Sequence, residues 1–237
     1  MDSTTFILTG TAVISAVFYM LYVIIKDSYK PEPWQMLIVS AVVGAVAALA
    51  VCLTDWGMPV EGLRVMEPHS MTDSLSIGFI GLAIPMEVVK WFALFIFLSL
   101  NKYFDEYLDG MVYAVCLAMG FAGVWSIWFM MNCSDTVSME VVVQCLFIIL
   151  ILVPIHLAAS SQMGYFFALA RRRHKIRNLI LALLLPILIN GLLCTFLLAL
   201  GNRGTYYFIL GFLYPILSMA FHTQLFRLLK MDREEMD

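Results

Sequence analysis

Charged residues are scarce in this 237-residue chain. They fill 13% of positions, whereas a soluble globular protein carries about a quarter. That scarcity, with 62% hydrophobic residues, excludes a solvated single-domain fold and leaves no room for a separate soluble domain of any size. Ligand-spaced cysteine is also missing. Cys52, Cys116, Cys145 and Cys194 fall inside apolar runs and Cys133 in a short loop. No CxxC pair or Cys/His ligand spacing is present, which removes the usual sequence signs of a disulfide framework or a zinc finger. The opening MDSTTF has no Lys or Arg before the first apolar run. A secretory signal peptide would carry a basic segment there, so the first run, which ends in Lys26, is expected to be an uncleaved span. No internal repeat is visible, which disfavours an inverted-repeat transporter. The net charge of −3 sits mostly in the loops, and nothing supports nucleic-acid binding.

What is abundant is long apolar sequence. Seven runs are long enough to cross a bilayer as helices of roughly 20 residues: 5–25, 36–54, 75–100, 110–131, 140–170, 179–200 and 206–229. The expected class is all-α, a polytopic helical membrane protein forming one bundle domain over residues 1–237. The fifth run would stretch about 46 Å at 1.5 Å per residue, so it either tilts or projects from the membrane. Pro154 within it is expected to kink the helix. The following Ala158, Ala159, Ser160, Ser161 and Gly164 permit close helix approach in lipid.

The basic residues predict an orientation. With the N-terminus outside, eleven Lys and Arg residues fall on inside segments, with RRRHKIRN the densest. Arg64 and Arg203 fall outside, and Lys90 lies within a span. Cytoplasmic loops carry the excess of Lys and Arg, so the expectation is seven spans, N-out and C-in. RRRHKIRN is also suited to anionic lipid headgroups. Trp34, Tyr206 and Tyr207 near span ends read as interface anchors.

Polar residues inside the runs are the functional candidates, because a charge at bilayer depth is costly without a partner. Glu87, His156 and Asn190 each fall near mid-span on different helices and are expected to converge. Lys90 follows Glu87 by three residues and shares its helix face. Two readings stand side by side. Glu87 and His156 activate a water together or bind a metal that does so. Alternatively, Glu87 and Lys90 neutralise one another and His156 caps a carbonyl freed by Pro154. Asp109, opening the fourth span, reads as a helix N-cap.

The segments KPEPWQMLIVSAVVGAVAAL, MEVVK, FDEYLDGMVYAVCLAMGFA and HLAASSQMGYFFALARRR run in order from Lys30 to Arg173. In that order they resemble the PrsW family of bacterial intramembrane proteases, within the wider superfamily of CAAX prenyl endopeptidases and bacteriocin-processing membrane proteins. DGMVYAVCLAMGFA is the most specific stretch. The resemblance implies a multi-pass protein of the cytoplasmic (inner) membrane acting on a single-span membrane protein, such as an anti-sigma factor. It also implies catalytic roles for Glu87 and His156, a supporting role for Lys90, and a weaker assignment for Asn190. Any metal, such as zinc, would be held by Glu87 and His156.

The sequence departs from the family pattern at three places. The family's Glu-Glu-x-x-Lys is Met86-Glu87-Val88-Val89-Lys90 here. A Glu-Asn pair after the Gly-Phe-Ala segment is Trp125-Ser126. A later His-Gly motif corresponds to Asn190-Gly191, with Cys194 where an Asp or Asn often follows. One Glu and one His fall short of the three protein ligands usual for a catalytic zinc, unless His222 or Asn190 contributes. Two function classes follow: a protease with a reduced centre, or a catalytically silent relative that binds transmembrane helices as an adaptor or regulator.

Overall fold

The structure is a computed structural model that describes residues 3–27, 30–54, 70–133 and 139–200, together with 216, 220–221, 223–225, 227–232 and 234. Side chains of residues 3–8, 12, 129–133, 139–152, 197 and 200 fall outside the description. The elements are α1 (Ser3–Lys26), α2 (Trp34–Leu53), α3 (Met71–Leu75), a π-helical segment (Ser76–Ala83), α4 (Ile84–Leu100), α5 (Tyr107–Cys133), α6 (Met139–Arg173) and α7 (Ile176–Leu200). The described chain is all helical, as its composition implies. Helices are the natural solution in lipid, since every backbone donor and acceptor is satisfied within the segment.

Five helical stretches are long and apolar enough to cross a membrane: Thr9–Lys26, Trp34–Leu53, Met71–Leu100, Tyr107–Trp128 and Ile176–Phe196. They coincide with five of the seven expected spans. The expected span at 140–170 lies within α6, many of whose side chains are outside the description. Most of the span at 206–229, with Tyr206, Tyr207 and His222, is outside it too.

α5 is the axis of the bundle and packs against α6, α2 and α1. The packing is backbone to backbone. A Cβ on Gly44 or Gly120 would strike the carbonyls of Leu117 and Ala41, respectively. Gly110 and Gly164 face each other across α5 and α6 in the same way. The side-chain hydroxyl of Ser40 donates to the Tyr113 carbonyl at 2.8 Å, closing the α2–α5 seam. Small residues replace the hydrophobic effect as the means of bringing helices together in lipid. Meanwhile large apolar side chains on α2, α4 and α7, such as Val42, Phe92, Ile96 and Leu188, remain exposed on the bundle's outer face.

One local departure matters for the site. The third expected span is not one regular helix: the π-helical turns precede Pro85, and Ile84 N–H bonds the Phe79 carbonyl, five residues back. A proline ring clashes with the carbonyl four residues before it. The wider π turn relieves that clash and brings Gly78 and Phe79 against Thr195 and Gly191 of α7. By contrast, α6 continues as one helix through Pro154.

Candidate functional site

Glu87 lies in the first turn of α4, just after the π segment, and Lys90 one turn later. His156 and Ser160 stand one turn apart on α6, and Asn190 comes from α7. All five side chains are buried, with 0 to 1% residue exposure. The structure therefore brings together Glu87, Lys90, His156 and Asn190, and adds Ser160 to them.

Lys90 is at the centre. Its Nζ lies 2.7 Å from Glu87 Oε1, 3.2 Å from His156 Nδ1 and 3.3 Å from Ser160 Oγ. An ammonium has three N–H donors, and here each has a partner. Glu87 Oε1 also accepts from Asn190 Nδ2 at 2.9 Å. Cys194 Sγ, one turn further along α7, donates to Asn190 Oδ1 at 3.3 Å. Glu87 and His156 are thus joined through the Lys90 ammonium.

That arrangement decides the imidazole tautomer. With Lys90 donating to Nδ1, that nitrogen must accept, and the ring proton belongs on Nε2. His156 does not cap a carbonyl freed by Pro154; Nδ1 faces Lys90, and Nε2 is buried without a hydrogen-bond partner. Glu87 Oε2 is likewise buried and bare. An aromatic wall stands over the ring. Phe121 and Trp125 meet His156 edge to face, with centroids 5.6 and 6.2 Å apart. Phe121 also lies 5.4 Å from the Lys90 ammonium. Met86, where the family pattern has a glutamate, is buried in the apolar core.

Ser160 had been read only as a small packing residue. The signal that could have found it is its spacing: four residues after His156, on the same helix face. Asp109 corrects another expectation. Its Oδ2 accepts from the amides of Asp105 and Glu106, at 2.9 and 2.6 Å, ahead of the helix. The amides of Tyr107 and Leu108 are capped instead by Asp232, at 2.6 and 2.9 Å. A residue 124 positions away in sequence cannot be assigned to this cap by local pattern.

The family model for the PrsW family intramembrane metalloprotease matches residues 32–221. The chain belongs to the PrsW family. Protease PrsW of Geobacillus kaustophilus (strain HTA426) is 27% identical over 204 residues, covering 85% of this chain and 84% of the relative. Protease PrsW of Clostridioides difficile (strain 630) is 28% identical over 184 residues, with coverage of 76% and 74%. Protease PrsW of Bacillus subtilis (strain 168) is 26% identical over 201 residues, with coverage of 83% and 85%. No solved structure matches the chain.

The family description implies a metal, and this PrsW-family centre does not fit one. Lys90 already places a cation between Glu87 and His156. The tautomer it imposes puts a proton on Nε2, the nitrogen left for a metal. Trp125 has no ligand atom, and the Met86 thioether is a soft donor poorly matched to a catalytic zinc. Among the described residues, the one group of three acidic, His or Cys side chains with ligand atoms within 4.8 Å of one another is Glu32, Asp105 and Asp109. It lies at the start of α5, apart from the Lys90 cluster.

Proposed function

We propose that this PrsW-family chain binds single-span proteins of the cytoplasmic membrane through its transmembrane bundle, with a polar centre that holds the helices in register and does not cleave. The observation that carries this reading is the placement of the Lys90 ammonium. It neutralises Glu87, occupies the lone pair of His156 Nδ1 and stands where a catalytic cation would stand. A general base must be free to take a proton from water; the Glu87 carboxylate is ion-paired to Lys90 at 2.7 Å and bonded to Asn190 through the same oxygen. The client class, proteins resembling anti-sigma factors with one span, comes from the family. Seven spans, N-out and C-in, remain part of the proposal on the strength of the basic-residue asymmetry. Reporter fusions at residue 174 and at the C-terminus are expected to read cytoplasmic, and one at residue 135 external.

A second reading, a protease with a reduced centre, is favoured by one observation. Glu87 Oε2 and His156 Nε2 are both buried without partners. A water held between them would meet a carboxylate acceptor and an imidazole N–H donor. Glu87 would then take the water's proton, and His156 Nε2–H would stabilise the oxyanion.

The deciding experiment measures metal content and cleavage of a model single-span substrate together, with crosslinking of the same substrate. The proposed reading expects no stoichiometric zinc, no cleavage, and crosslinking by both wild type and Glu87→Gln. Cleavage by wild type that Glu87→Gln abolishes, with crosslinking kept, would establish the second reading instead.

A further inference from the structure

We infer that Glu32, Asp105 and Asp109 form a binding site for a hard divalent cation of the magnesium or calcium class, at the end of the bundle where α1 ends and α5 begins. The three residues arrive from separate places: the α1–α2 connection, the α4–α5 connection and the first turn of α5. One oxygen from each lies within 4.8 Å of the others. Oxygens that share an ion at about 2.1 to 2.5 Å are separated by no more than about twice that distance, so the spacing suits one ion.

Three further observations point to a ligand. First, two carboxylates here are pinned through one oxygen and bare at the other. Asp109, 0% exposed, gives Oδ2 to two backbone amides, and Oδ1 has no partner. Asp27, 3% exposed, accepts the Glu32 N–H on Oδ2 at 3.3 Å, and its Oδ1 has no partner. A buried acceptor without a donor is rare and needs an explanation. Second, a carboxylate oxygen of Glu32 and one of Asp109 lie within 4.8 Å of each other, and like charges at that range favour a proton or a cation between them. Tyr113 OH donates to Glu32 Oε2, leaving Oε1 for the ligand.

Third, among the described residues the local charge does not balance. Asp27, Glu106 and Asp232 interact electrostatically with the same group, so six carboxylates gather in one region. Facing them are Lys30, 2.6 Å from Asp105 and 3.6 Å from Glu106, and Arg172 near Asp232. An oxygen-only donor set selects a hard ion over zinc or copper. Loaded, the site would tie the α1–α2 connection to the α4–α5 connection and to the α5 N-terminus that Asp232 caps. It stands whether or not the Lys90 centre cleaves anything.

The test uses the full chain, purified in detergent and stripped with chelator. MgCl2, CaCl2 and MnCl2 are titrated separately, by calorimetry and, for manganese, by electron paramagnetic resonance. The expected result is saturable binding of one ion per chain by at least one of the three, with a higher melting temperature on loading. Asp105→Asn changes an exposed side chain, so folding should survive. It should weaken binding by about tenfold or more, the order expected for one charge-bearing ligand. Lys30→Gln removes a competing cation and should tighten binding. Absence of saturable binding by all three salts, with stabilisation appearing only as the pH is lowered, would overturn the inference and assign shared protons to the cluster. Binding indifferent to both Asp105→Asn and Lys30→Gln would also overturn it, by placing the ion elsewhere.

Discussion

The ammonium of Lys90 lies 3.2 Å from Nδ1 of His156 while bonding Glu87 Oε1 at 2.7 Å. Two residues that look like halves of a catalytic pair are therefore joined by a third whose charge cancels one and whose proton sets the tautomer of the other. In the dry centre of a helical bundle, such a cluster is stable only if complete.

The first prediction concerns that completeness. Lys90→Met leaves the Glu87 charge buried with Asn190 as its one remaining donor. Removing one partner of a buried pair costs about 3 to 5 kcal/mol. The double variant Glu87→Gln, Lys90→Met removes both charges and should recover most of that loss. Unfolding titrations of the four proteins in mixed micelles measure the coupling. A double variant as unstable as the sum of the singles would show the two groups to be energetically independent.

A second prediction concerns the missing ligands. Met86→Glu with Trp125→Glu adds two carboxylates and removes the aromatic wall over His156. Each acid costs roughly 2 to 3 kcal/mol on insertion scales, less if a metal neutralises it. The expected outcome is zinc uptake approaching one ion per chain in a protein that still inserts, where wild type has none. Mass spectrometry of the purified protein reads it directly. An inserted but zinc-free double variant would mean that Lys90 holds the centre against the ion.

The third concerns the distant cap. Asp232→Ala should lower stability by about 1 kcal/mol, as loss of a helix N-cap does. Hydrogen exchange should quicken at the Tyr107 and Leu108 amides before it quickens elsewhere in α5. Asp232→Asn keeps one carbonyl acceptor and should show a smaller effect. Unchanged exchange at those two amides in Asp232→Ala would remove Asp232 from the account of α5.

The fourth compares two glycines. Gly164→Ala drives a methyl into the Gly110 carbonyl and the Met111 backbone, whereas Gly123→Ala meets nothing within 4 Å. Backbone cannot retreat as a flexible side chain can. Gly164→Ala should therefore cost about 1 to 3 kcal/mol, the range for overpacking a tight interface, and Gly123→Ala close to nothing. Equal effects in thermal unfolding would mean that α5 and α6 are less closely apposed than described.

Much of this protein is legible from residue order alone. Apolar run lengths set the helices, because the bilayer leaves the backbone no other way to satisfy its donors and acceptors. Glu87, Lys90, His156 and Asn190 could be named as one cluster because buried polar groups in lipid must find each other. Met86 and Trp125 could be marked as the two positions where the family pattern's carboxylate is missing. Tertiary structure decided what the pattern could not hold. That Lys90 joins Glu87 to His156 depends on how α4 lies against α6, and so on the π turns before Pro85. That Asp232 caps α5 while Asp109 turns back to the preceding loop depends on contacts 124 residues apart. Periodicity and spacing carry information along one helix; the identity of a partner across the bundle is fixed only when the helices pack.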